Sequence, residues 1–216
     1  MAKQFSVYFA GEIFSIKHLL GNCALCSAIT RISEGRYKFI IPQNLEQRDT
    51  TATAIRNQDI SAVVCADLGL FQFDGTELDS GTVAEFMIAK FCDIPAVVLR
   101  SDFRSGGDNE HAAWNLMLTG YPRTEVVTAD SMRIYQEQLR THKDSLNAGL
   151  AAVDNIASLV VAAFNKVEAQ EPIMDMTSRE NVYEWMSRMP GSRFENTLTK
   201  QVIKQILAAK KNSGLN

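Results

Sequence analysis

A chain of 216 residues is long enough for one domain of ordinary size plus an extension, and 46% apolar with 22% charged residues excludes a disordered protein. A formal net charge of −3 gives no electrostatic footprint for nucleic acid. No basic segment leads into a signal-type apolar run, and no apolar stretch of about 18 residues stands out, so the composition reads as a soluble, cytoplasmic protein.

The first predicted element is a strand, "FSVYFAG", ended by Gly11. A helix is expected from about Ser15 to Ile32, because Ile16, Leu19, Leu20, Cys23, Cys26 and Ile29 recur at steps of three or four. "YKFIIP" is a second strand, stopped by Pro42. "TATAIRNQDISAVVCAD" reads as a helix that turns Ala54, Ile55, Ile60 and Val64 inward. "LGLFQF" is a third strand, "SGTVAEFMIAKFC" a buried helix and "PAVVLR" a fourth strand. Residues 101–114 read as a polar loop, and "EVVTA" as a short fifth strand. Alternating helices and continuously apolar strands predict an α/β fold, a parallel sheet flanked by helices of flavodoxin- or Rossmann-like kind.

The character changes near residue 129. Leu146, Leu150, Val153, Ala157, Val160, Phe164 and Val167 recur at alternating steps of four and three, which predicts one long helix with an apolar seam. Two shorter helices are expected near 179–188 and 195–210, split by Pro190 and Gly191. The organisation is therefore an α/β domain over 1–128 and a helical C-terminal extension over 129–216. Cys23 and Cys26 form a C-x-x-C inside a helical pattern, without the second pair that a four-ligand zinc site needs. With Cys65 and Cys92 they read as free thiols.

Chemistry concentrates in "FDGTELDSGTVAEFMIAKF", residues 73–91, where Asp74, Glu77, Asp79 and Glu85 crowd a strand end and a helix start. Ligands of open parallel sheets bind beyond such carboxyl ends. Two readings of Glu85 stand side by side. "TVAE" fits a capping box, with Thr82 as N-cap and Glu85 reaching back to it. The same position also suits an ionised, partly desolvated carboxylate acting as nucleophile at an anomeric carbon, with a second carboxyl moving a proton. Asp59, Asp67, Asp74 and Asp79 supply candidates for that second role.

These residues carry a resemblance. Over roughly residues 5–128 the chain resembles the nucleoside 2-deoxyribosyltransferase family: "VYFAG", "TATAIRNQD", the Ala66-Asp67 pair, "LGLFQFDGTELDSGT" and Glu85 follow its core motif in order. "RSDFR" and "NLML" resemble its later loops. The resemblance implies Glu85 as nucleophile, Asp79 and Asp59 as acids that assist base protonation and ligand positioning, and Tyr8 as the strand-one tyrosine approaching the nucleophile. It implies Asn115 as a residue that reaches the sugar in a neighbouring subunit's site, and Glu46 as a nucleobase contact. Asp74 is counted with the substrate-binding residues. Residue type alone allows blander roles: Tyr8 as a core aromatic, Asp79 as a helix cap, Asp59 as a solvated acid, Asn115 as a turn residue, Glu46 as part of a polar loop.

The implied reaction moves a 2-deoxyribosyl group from one nucleobase to another through a glycosyl ester on Glu85, with no metal and no organic cofactor. The implied partners are a deoxynucleoside, a free base and further copies of the chain, since Asn115 would cross a subunit boundary. Rival readings are an N-glycosidase of the same superfamily, with water replacing the second base, and a nucleoside sensor without catalysis. Two departures bear on substrate. Met87 stands where the family often has glycine. "AGEIFSIKH" carries Glu12 where nucleotide-cleaving relatives carry Gly, Ser and Arg, which favours an unphosphorylated nucleoside.

Overall fold

A computed structural model describes residues 3–45, 51–104, 115–189, 194 and 197–215. Five strands, β1 (Phe5–Ala10), β2 (Tyr37–Ile40), β3 (Leu68–Gln72), β4 (Ala96–Arg100) and β5 (Thr124–Thr128), form one parallel sheet in the order β2-β1-β3-β4-β5. The expected α/β architecture is therefore the one observed. The chain leaves β1 toward β2, then crosses back to β3, so the order reverses between β1 and β3. A crevice at such a reversal, beyond the strands' carboxyl ends, is where open α/β sheets take ligands. In register, Tyr8 of β1 lies beside Gly69 of β3.

Helices α1 (Ile16–Ile32), α2 (Ala52–Cys65), α3 (Ser80–Phe91), α4 (Ser131–Leu139), α5 (Ser145–Val167), α6 (Met176–Ser187) and α7 (Lys200–Asn212) divide between the two faces. One apolar cluster joins Val7, Phe9, Leu70 and Leu99 of the sheet to α1, α4 and α5. The other joins Tyr8, Phe71 and Val98 to α2, α3, α6 and α7. Alternation along each strand produces this split, since successive side chains point to opposite faces. Gly69 is required by that packing: a Cβ there would stand 2.3 Å from the Phe71 ring. The freed space lets Phe71 meet Phe86 of α3 edge-on, with ring centroids 5.3 Å apart. Phe86 in turn meets Tyr121 edge-on at 5.5 Å. These contacts fix α3 over the β1–β3 crevice.

Three expectations need correction. Helix α3 starts at Ser80, with Asp79 as its N-cap, rather than near Thr82. The apolar stripes of α1 and α5 are rotated from those expected. On α1, Ile16 and Leu20 are exposed while Asn22, Leu25, Cys26, Ala28 and Ile29 are buried. On α5 the seam holds from Ala157 to Val167, but Leu146 is 71% exposed and Leu150 48%. Ala148, Ala152 and Ile156 are buried instead. Small alanines let α5 approach α1 closely, so the inward face is set by fit as much as by residue size. Finally, α5 holds an 18-residue window of mean hydropathy 1.5, long and apolar enough by composition to cross a membrane. Its buried face packs on α1, α4 and the sheet.

At the opposite end of the sheet from the crevice, buried charges tie the last helices down. Asp93, which precedes β4 with φ of 54°, accepts from the backbone N–H of Ile173 and Met174 and from Arg179 Nη2 at 2.8 Å. Arg123, just before β5, lies 3.3 Å from Asp93 Oδ1 and donates to the carbonyls of Asp93 and Leu215. Lys210 of α7 donates to the Ala66 carbonyl. Both arginine side chains are almost fully enclosed. Removing one member of such a group leaves an uncompensated buried charge, which commonly costs about 3–5 kcal/mol. Asp93→Asn keeps the residue's shape and its tolerance of positive φ. It is expected to lower unfolding stability by about 3 kcal/mol in a urea titration followed by circular dichroism.

Candidate functional site

The site begins with two side chains that the fold brings together from 77 positions apart: the Tyr8 hydroxyl donates to Glu85 Oε1 at 2.6 Å. Tyr8 is fully buried at the crevice end of β1, and Glu85 lies on the second turn of α3. The cap explains why Glu85 is available. Asp79 Oδ2 accepts from both the backbone N–H and the hydroxyl of Thr82, each at 2.7 Å. That takes the role expected of Thr82 and leaves Glu85 outside the cap. The capping-box reading of Glu85 is therefore replaced by a bond to Tyr8. Asp79 is a cap, as its residue type allowed, yet both bonds fall on one of its two oxygens.

Electrostatics bind the group further. Burial is the largest influence on Glu85 and lifts its carboxyl to about 7; the Tyr8 hydrogen bond opposes the rise, and the charges of Asp59 and Asp79 add to it. Burial also pushes the Tyr8 hydroxyl far up, helped by the Glu85 charge and the hydrogen bond. Asp59, on α2, is raised by burial as well. Its Oδ1 is buried without a hydrogen-bond partner. A buried, unbonded carboxylate oxygen is costly. Tyr8, Glu85, Asp59 and Asp79 thus form one acidic group with open bonding capacity.

Asp74 and Asn115 make other contacts. Asp74 is fully engaged: Oδ1 accepts from the N–H of Ser101 and Asp102, and Oδ2 from Ser101 Oγ and Gln72 Nε2 at 2.6 Å each. It braces the end of β3 against the loop after β4. Asn115 accepts from the Met117 N–H at 2.9 Å and caps a short 3-10 turn, Leu116–Leu118. Glu46 lies outside the described residues. Met87 turns to Tyr121, whose hydroxyl donates to its sulfur at 3.6 Å. Glu12 pairs with His18 Nε2 at 2.9 Å on the first turn of α1, placing an anion where a phosphate cradle would need donors. No group of three or more His, Cys, Asp or Glu suited to a metal is found among the described residues. The sequence reading passed over Gln72 and Ser101. A lone amide inside the apolar run "LGLFQF" was the available signal for Gln72. Ser101 gave none beyond its place after a strand.

The pH dependence of this group has a definite sign. A carboxyl raised in the folded state binds protons more tightly folded than unfolded, so it favours folding at low pH and the benefit is lost as pH rises toward about 7. Glu85→Gln keeps an acceptor for Tyr8 and removes the charge. At pH 8 the variant is expected to be more stable than wild type, by on the order of 1–2 kcal/mol. The gap should close as pH falls toward 5, read from melting temperatures across that range.

Comparison with known proteins extends what the geometry suggests. Residues 7–117 match the family described as Nucleoside 2-deoxyribosyltransferase. Comparison with curated proteins gave no match. Among solved structures, a conserved protein from Enterococcus faecalis V583 is similar at 25% identity and a TM-score of 0.50, over 63% of this chain and 99% of that one. A 2-desoxiribosyltransferase from Leishmania mexicana matches at 20% identity and 0.43, over 56% and 89%. A 2-deoxyribosyltransferase from Bacillus psychrosaccharolyticus matches at 16% and 0.42, over 54% and 81%. The match at 7–117 spans just over half of the 216 residues, from the Tyr8 strand through Glu85 to Asn115, and the chain belongs to the nucleoside 2-deoxyribosyltransferase family.

Proposed function

We propose that this protein transfers a 2-deoxyribosyl group between nucleobases by double displacement, with Glu85 as the nucleophile. The observation that carries the reading is the buried Glu85 carboxyl, raised to about 7 and held by the Tyr8 hydroxyl beside the unpartnered Asp59 oxygen. Glu85 attacks C1′ and the bond from C1′ to the base nitrogen breaks. Asp79 delivers a proton to the departing base, its second carboxylate oxygen being free of the cap. Asp59 accepts a hydrogen bond from the ligand. A second base then attacks C1′ from the vacated side, loses its proton to Asp79 and releases Glu85, so two inversions give net retention. Tyr8 keeps the Glu85 oxygen aimed.

Glu12 at the start of α1 supports a nucleoside over its 5′-monophosphate, because it sets a negative charge where a phosphate would seek donors. A homo-oligomer fits the exposed apolar residues. Leu116 and Met117 stand exposed beside Asn115, and Ile16 and Leu20 on α1 and Leu146 and Leu150 on α5 are exposed on two helices that pack together. Covering them with further copies buries the faces and brings Asn115 into a neighbour's site. The reading takes the enzyme as a cytoplasmic one of nucleoside salvage that needs no metal or organic cofactor.

The test is product analysis. A deoxynucleoside incubated with a second free base should yield the exchanged nucleoside, retained at C1′, at a rate above that of free deoxyribose release. Release of deoxyribose at one rate, with or without the second base, would instead mark an N-glycosidase. Glu85→Gln is expected to lose both reactions by about a thousandfold or more. In the wild type, kcat/KM should rise with pH through about 7 as Glu85 ionises. Trans completion is checked by mixing Glu85→Ala and Asn115→Ala subunits through joint refolding. Activity above either parent is expected, and verified mixed assemblies that stay inactive would mean each chain builds its own site.

A further inference from the structure

A cavity of about 620 Å³ opens between α1, α4 and α5 at the ends of β3 and β4. Its apolar lining, including Leu25, Leu99, Ala152 and Ile156, belongs to the cluster on that face of the sheet. Tyr8 and Phe86 belong to the cluster on the other face. The cavity is thus set apart from the Tyr8–Glu85 pair, and the proposed reaction does not use it. Its volume suits a ligand from a nucleobase to a nucleoside in size.

Two features of its walls describe an occupant. The first is flatness. Gly21 of α1 and Gly149 of α5 both line the cavity, and a Cβ added at either would meet nothing within 4 Å. Glycine inside a helix costs about 0.5–1 kcal/mol relative to alanine. No crowding within the protein requires that cost at either position. Both absences widen the same space, and Phe103 and Tyr135 supply aromatic surface beside it. The second feature is polarity. Asn22 gives its Nδ2 hydrogens to the Glu12 carbonyl and to Gln43 Oε1. Gln72 gives Nε2 to Asp74. A carbonyl and a carboxylate accept only, so each amide's orientation is fixed by chemistry. Among the described residues no donor reaches Asn22 Oδ1 or Gln72 Oε1. Both Asn22 hydrogens are therefore committed and its Oδ1 is left to accept, beside a Gln72 amide that keeps Oε1 and one Nε2 hydrogen, so Asn22 calls for a ligand that donates.

We propose that this cavity is a second ligand site, taking a flat aromatic heterocycle that carries an exocyclic amino group, free or as its nucleoside. A heterocycle bearing only ring nitrogens or oxo groups at that edge would set an acceptor against the Asn22 oxygen and leave it unpaired.

The two glycines are also the reporters. Adenine and purine differ by the one amino group, and both are titrated into the isotope-labelled full chain while the Gly21 and Gly149 amide signals are followed by NMR. Adenine is expected to shift both signals saturably, with purine at least about tenfold weaker, the loss of one hydrogen bond to the Asn22 oxygen. Gly149→Leu fills open space and favours the helix, so it should keep the fold and abolish the Gly21 shift. Gly21→Leu should do the same to the Gly149 shift. If adenine leaves both amides unmoved at millimolar concentration, binds only beside Glu85, or binds no better than purine, the proposal fails. Because these signals report the cavity alone, that result is independent of whether base exchange occurs.

Discussion

The hydrogen bond from Tyr8 to Glu85 is the constraint on which the rest of the candidate site depends. It joins the end of β1 to the second turn of α3, two elements that the chain must carry to the same place through α1, β2, α2 and β3. The aim of that bond follows from packing at some distance. Gly69 yields space to Phe71, Phe71 receives the edge of Phe86, and Phe86 is the residue next to Glu85. A side chain at position 69 would push Phe71 outward and move the helix that carries the carboxylate. Precision at the crevice is thus a property of the apolar core beneath it.

Holding a carboxyl at about 7 between two further acids costs stability, and the fold offsets the cost away from the crevice. At the other end of the sheet, Asp93, Arg123 and Arg179 form an enclosed group whose members compensate one another. Asp93 is held below the usual carboxylate range, by the backbone N–H of Met174, the two arginines and the N–H of Ile173 acting against burial. One end of the sheet therefore pairs a buried acid with buried bases, and the other gathers Glu85, Asp59 and Asp79 together. Ligands of parallel sheets bind beyond the carboxyl ends of the strands, the end where that acidic group lies.

Much of this was legible in the sequence, for a physical reason. Strands buried on both faces must be apolar throughout, so "FSVYFAG", "LGLFQF" and "PAVVLR" stood out whatever their partners. The motif around residues 73–91 marked Asp79 and Glu85, and the family likeness added Tyr8 and singled out Asp59 from the other candidate acids. What failed was choice among equivalent local signals. Asp79 and Thr82 are both good N-caps, and only the structure shows Thr82 donating to Asp79. Leucines outweigh alanines in any apolar count, so the α5 face was read through Leu146 and Leu150 while Ala148 and Ala152 are the buried positions. The Asp93 group left no trace at all. Its partners lie 30 and 86 positions away, and no local pattern encodes them.

The charge on the site explains why an acidic crevice can serve the proposed chemistry. The influences on Glu85 from the described residues are burial, a tyrosine hydroxyl and two aspartates, with no cation among them. An anion arriving there meets repulsion, whereas a neutral nucleoside does not. The same arrangement acts on the proposed intermediate. When Glu85 becomes a glycosyl ester, its negative charge disappears, and with it the desolvation cost and the repulsion from Asp59 and Asp79. Burial that raises the carboxyl's proton affinity also raises its affinity for an electrophilic carbon, since both bonds neutralise the same oxygen. Tyr8 works in the opposite sense, because its hydrogen bond favours the ionised form. The tyrosine thus keeps a fraction of Glu85 charged and ready at neutral pH, while the aspartates make the charged state one that the chemical step relieves.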